Sequence, residues 1–136
     1  MKKGRLILLT LLLAMLFALQ PFSVLAAVEK SQQPEDVRAV LINSADARID
    51  HGTVTTTVFA AVEGISSVTS VKIQLELQKL SGGSYSTVKT WSETFSGRSG
   101  ALEKSRVINP FSTYRLKATV TAYASGTSES RTLYEY

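Results

Sequence analysis

The chain has 136 residues, 44% of them hydrophobic, with 15 Lys and Arg against 11 Asp and Glu, one His and no Cys. The lack of thiols excludes disulfides, thiol catalysis, thiolate metal sites and the lipidated cysteine of a lipoprotein signal. The formal charge of +4 comes mostly from Lys2, Lys3 and Arg5; residues 27–136 hold 12 basic and 11 acidic side chains, a net +1, so no basic stripe points to nucleic acid.

Those three cations precede an uncharged apolar run over residues 6–19, which ends at Gln20 and Pro21 and is followed by Val24, Leu25 and Ala26. A basic start, a short apolar middle and small residues at the −3 and −1 subsites are the parts of a secretory leader. Residues 1–26 are therefore expected to be a signal peptide cut after Ala26, with Ala27 the next site, which places the working chain outside the cell. The run is shorter than the roughly 20 apolar residues that span hydrocarbon, which argues against an uncut anchor. Residues 27–36, including Gln32, Gln33, Pro34, Glu35 and Asp36, are polar and read as a flexible tail.

From Val37 onward, β-branched and aromatic runs are broken by Gly and Ser clusters about every ten residues, the spacing of an all-β sandwich. A strand over residues 38–49 leads to a turn at Asp50, His51 and Gly52 and a strand over 53–63, with Val54, Thr56, Val58, Ala60 and Val62 on one face. Next, Val71, Ile73, Leu75 and Leu77 alternate with Lys72, Gln74, Glu76 and Gln78. That is the period-two pattern of a strand covered on one side. Gly82 and Gly83 turn the chain into a strand over 85–95, and Ser96 to Gly100 lead to another over 101–108, ended by Asn109 and Pro110. Tyr114, Leu116, Ala118, Val120 and Ala122 repeat the alternation, and a last strand begins at Glu129 and runs to Tyr134 or beyond. The expectation for residues 37–136 is an immunoglobulin-like antiparallel β-sandwich of about seven strands.

The run from Phe111 to Ala122 resembles the penultimate strand of fibronectin type III and other immunoglobulin-like modules, where a Tyr near the strand start forms the tyrosine corner. The stretch from Ile73 to Trp91, with Leu77-Gln78-Lys79-Leu80-Ser81-Gly82-Gly83-Ser84-Tyr85 and Thr87-Val88-Lys89-Thr90-Trp91, is, together with that strand, similar to a family of small secreted Gram-positive bacterial proteins of unknown function. The resemblance implies a fold and a habitat and supplies no activity. Antibody domains differ in having paired cysteines and a Trp in the strand corresponding to Val71–Gln78.

Catalytic and metal signatures do not assemble. His51 stands beside Asp50 with nothing to complete a nucleophilic constellation. Glu76 and Glu93 fall on neighbouring strands as a carboxylate pair, but Glu76 belongs to the polar positions and should face water with Lys72. Asp46 and Asp50 lack the dense oxygen ligands of a calcium loop, and Gly82-Gly83 is followed by neither the Lys-Ser or Lys-Thr nor the helix of a phosphate cradle. No cofactor is expected.

The aromatic side chains carry more. Tyr85, Val88 and Trp91 fall at i, i+3 and i+6, so strict alternation sets Val88 opposite the two rings unless a bulge shifts the register. Outward-facing Tyr85 and Trp91 would form a flat platform for a sugar or a protein; inward, they are core. Phe59, Tyr123, Tyr134 and Tyr136 fall off the core-facing series, and Arg115, Lys117, Thr119 and Thr121 read as a solvated face. The burial of a lone Trp in a small sandwich favours the core for these rings. The sequence thus points to a secreted, non-catalytic module that contacts an extracellular protein or glycan, with Tyr85 and Trp91 as the contact residues if they face outward. A secreted effector such as a bacteriocin or membrane-active toxin is the alternative.

Overall fold

The computed structural model describes residues 40–136; the leader and tail expected over residues 1–36, and the expected start of the first strand, lie outside them. Seven antiparallel strands follow: β1 (Ile42–His51), β2 (Thr55–Gly64), β3 (Ser70–Ser81), β4 (Ser84–Ser96), β5 (Ser99–Val107), β6 (Tyr114–Ala124) and β7 (Thr127–Glu135). They make two sheets, ordered β1-β2-β5 and β4-β3-β6-β7. This is the immunoglobulin-like sandwich that the alternating runs predict. The fourth strand pairs with the third, so the sheets hold three and four strands, where an antibody constant-type domain holds four and three. Within the described residues, 40–136 form a compact unit with its own core.

That core is made by the inward positions of the central strands. Val71, Ile73, Leu75 and Leu77 of β3 and Leu116, Ala118, Val120 and Ala122 of β6 are fully buried and face Val58, Ala60 and Val62 of β2 and Leu102 of β5. Tyr114 is buried at the start of β6, and its hydroxyl accepts a hydrogen bond from the Asn109 N–H at 3.2 Å, which ties the β5–β6 connection to the strand that follows it. Thr56 is buried among apolar neighbours because its hydroxyl donates to the Asp50 carbonyl at 3.1 Å, so no polar atom is stranded there.

Two local expectations change. Asp50 and His51 do not form the first turn; they end β1, paired with Thr57 and Thr56, and the turn is closed by the Gly52 N–H donating to the Thr55 carbonyl at 2.8 Å. Val54 consequently lies before β2, exposed instead of joining its inward series.

A two-sheet sandwich is open along both flanks, and here each flank is latched by a charged side chain reaching across to a β-bulge. On one flank, Val88 of β4 is an extra residue, since Leu77 pairs with Lys89 and Gln78 with Thr87. Its carbonyl, freed from the ladder, accepts a hydrogen bond from Nη1 of Arg106 on β5 at 3.0 Å. On the other flank the register of β1 shifts between Ile42 and Ser44. Glu129 of β7 accepts the N–H groups of Leu41 and Ile42 through Oε2, and Arg131 Nη2 donates to the Ile42 carbonyl at 2.6 Å. Arg131 also pairs with Glu129 at 3.1 Å, so the two side chains hold each other in place.

Candidate functional site

The Val88 bulge decides which aromatic side chains can act together. On the C-terminal side of it, Trp91 pairs with the fully buried Leu75 and Phe95 with Val71, so both rings turn inward and pack on the core. On the N-terminal side, Thr87 pairs with Gln78 and Tyr85 with Leu80, on the outer face of the four-stranded sheet. Tyr85 and Trp91 therefore lie on opposite faces and share no platform.

Tyr85 instead joins a cluster drawn from all four strands. The pairing order places Tyr134 of β7 beside Lys117 of β6, Lys117 beside Glu76 of β3, and Gln78 between Thr87 of β4 and Arg115 of β6. The Arg115 guanidinium carbon lies 4.0 Å from the ring centre of Tyr85, 4.8 Å from that of Tyr134 and 5.9 Å from that of Tyr136. The Tyr85 and Tyr136 rings meet edge to face at 6.1 Å. Three tyrosines thus surround one cation, an arrangement stabilised by the electrostatic attraction of the ring faces for the charge.

A hydrogen-bond chain fixes that cation. Arg115 Nε donates to Gln78 Oε1 at 2.8 Å and Nη1 donates to the Tyr136 hydroxyl at 3.2 Å. The other end of the Gln78 amide donates to Thr87 Oγ1 at 3.2 Å, and the Thr87 hydroxyl donates to Glu76 Oε2 at 3.2 Å. Only one orientation of the Gln78 amide places its oxygen toward Arg115 and its nitrogen toward Thr87 and Glu76, so the network is internally determined. Glu76 also accepts from Gln74 Nε2 at 2.8 Å and lies 3.4 Å from Lys117 Nζ. Partial burial pushes the Glu76 carboxyl up, but the Gln74 hydrogen bond, the Lys117 charge and the Thr87 hydrogen bond outweigh it and hold the group below its ordinary 4.5. Glu76 is thus an ionised end-stop for the chain of donors and is far less solvated than an outward strand position suggests.

Other candidates are dispersed. Glu93 pairs with Ile73 on the inner side of β4, whereas Glu76 faces outward, so the two carboxylates cannot flank one substrate. Asp46 and Asp50 share the outer face of β1 with Arg48 between them, and Arg48 bridges to Asp50 at 3.5 Å and to Glu103 at 3.4 Å while its guanidinium lies 4.3 Å over the Phe59 ring. Gly82 and Gly83 both take positive φ, 58° and 82°, as a two-residue hairpin turn requires. Tyr123 is exposed near the opposite end of the sheet, paired with Ser128 and away from the tyrosine cluster.

A scan against protein-family models finds no family that matches the chain, and a search of curated proteins finds no match either.

Proposed function

We propose that this chain is a secreted, non-catalytic recognition module that binds an extracellular protein through the outer face of its four-stranded sheet, centred on Arg115. The observation that carries this reading is the stacking of the Arg115 guanidinium among Tyr85, Tyr134 and Tyr136. Tyr and Arg are the residue types that anchor protein interfaces. A side chain already held by Gln78 and Tyr136 loses little further freedom on binding, which favours affinity. A sugar ring would stack on an open aromatic face, but Arg115 already lies against Tyr85 and Tyr134, which supports a protein over a glycan.

The test uses residues 27–136 as bait against proteins from the medium and envelope of the producing cell, with a glycan array in parallel. Arg115→Ala and Tyr134→Ala are expected to weaken capture of the partner at least tenfold, while Glu103→Ala on the other sheet leaves it unchanged. Capture that survives both substitutions, or an array signal lost only with Trp91→Ala, contradicts the reading. Dye release from vesicles by the same protein would favour the membrane-active alternative.

A further inference from the structure

The end of the sandwich that carries the β1–β2 and β5–β6 connections holds a knob and a hole side by side. The hole is a cleft of about 480 Å³ whose lining includes Ile108, Pro110, Tyr114 and Tyr136 as well as His51 and Thr113. The knob is Phe111, which is 95% exposed although its neighbours Pro110 and Ser112 both line the cleft. Its pose is set by the turn it sits in: the Phe111 N–H donates to Asn109 Oδ1 at 2.9 Å and the Ser112 N–H to the Asn109 carbonyl at 3.1 Å. Val54 and Val107, 55% and 74% exposed, extend the patch, joined to it by the Ile108 N–H bond to the Val54 carbonyl at 2.9 Å. A fully exposed Phe rimmed by further apolar side chains marks a contact surface.

We infer that this end is a contact between two copies of the chain, in which Phe111 of each copy enters the cleft of the other about a twofold axis. A twofold contact uses one patch twice and so requires that the patch complement itself, which a knob adjacent to a hole provides. The space is ample, since a cavity of about 150 Å³ already admits a benzene ring. No Lys, Arg, Asp or Glu is among the described residues lining the cleft, so a second copy meets no like charge there. The end face of a sandwich four strands wide, with strands about 4.8 Å and sheets about 10 Å apart, offers a few hundred Å² per copy. That is below the roughly 800 Å² per partner of a standard interface, so the pair is weak and reversible, with dissociation in the micromolar to millimolar range. The inference does not rest on the proposed Arg115 site, although Tyr136 borders both.

Sedimentation of residues 27–136 over about 10 μM to 1 mM tests it; the sandwich carries its own core and is therefore usable without the leader. The expected result is a reversible rise in mass toward twice that of the monomer. Phe111→Ser removes the knob and Thr113→Trp fills the hole, so each variant alone should associate at least tenfold more weakly with an unchanged melting curve. A mixture of the two restores one knob and one hole, and should associate more strongly than either alone. A monomer throughout the range, variants that associate like the parent, or a mixture no stronger than its components would overturn the inference. So would binding of a monomeric chain to phosphatidylcholine–phosphatidylglycerol vesicles that Phe111→Ser abolishes, which would make the occupant a lipid surface.

Discussion

The two ends of the sandwich are built from similar connections and finished differently. At the end holding the β2–β3, β4–β5 and β6–β7 connections, backbone groups stitch segments together: Gly64 N–H to the Arg98 carbonyl at 2.7 Å, Gly97 N–H to Thr69 at 2.8 Å, and Thr69 N–H to Tyr123 at 2.9 Å. Glycines allow close approach there, since a Cβ on Gly64 would lie 2.6 Å from Val68 Cγ2 and one on Gly100 would lie 2.5 Å from Phe95 Cδ2. At the other end Phe111, Val107 and Val54 are exposed, at 95%, 74% and 55%. The second end is stitched as well, by Leu80 N–H to Thr113 and Ile108 N–H to Val54 at 2.9 Å, but it differs in keeping apolar surface that folding leaves unused.

The largest effect should come from the first end. Gly100→Ala forces a methyl against Phe95 and the fully buried Val71, and should lower unfolding free energy in urea by about 1–3 kcal/mol. A parent-like melt would erase the contrast between the ends. Tyr114→Phe, which keeps the ring and deletes only the oxygen met by the Asn109 N–H, should cost about 1 kcal/mol in the same assay.

A pH series sharpens the picture at Glu129. Hydrogen bonds from the Ile42 backbone, and secondarily from Leu41 and Arg131, hold its carboxyl below 4.5 against the opposing effect of burial. Because the folded pKa is the lower one, the stabilisation is present above the unfolded value and is lost as pH falls through the folded one. Glu129→Gln should therefore be less stable than the parent near neutrality, with the gap narrowing as pH is brought from 6 to 3; a gap constant with pH would show that the carboxylate's charge is not what holds β1. Phe111→Ser should show the smallest effect on stability, within about 0.5 kcal/mol, because the ring buries almost nothing in a single copy.

The strands were legible because one face of β3 and β6 is buried and the other is not, which imposes strict alternation on Val71–Leu77 and Tyr114–Ala122. β1 was harder to bound, since its inward positions include small Ala45 and Ala47 and its bulge interrupts the pattern. The candidate site was legible only in pieces. Alternation shows that Arg115, Tyr134 and Tyr136 leave the core, but not that strand order β4-β3-β6-β7 brings Tyr85 to them. The extra residue at Val88 has no signature of its own, yet it puts Tyr85 and Trp91 on opposite faces. A Glu at an exposed-type position such as Glu76 reads as solvated until its partners on three strands are known.

The latches along the flanks have a consequence for crowded conditions. A foreign strand laid against β4 and β5, or against β1 and β7, would have to strip water from Arg106 or from the Glu129 and Arg131 pair and displace their grip on Val88 and Ile42. Inward charge of this kind keeps neighbouring copies from zipping edge to edge into fibres. Copies can therefore crowd together without their sheets joining through the open edges.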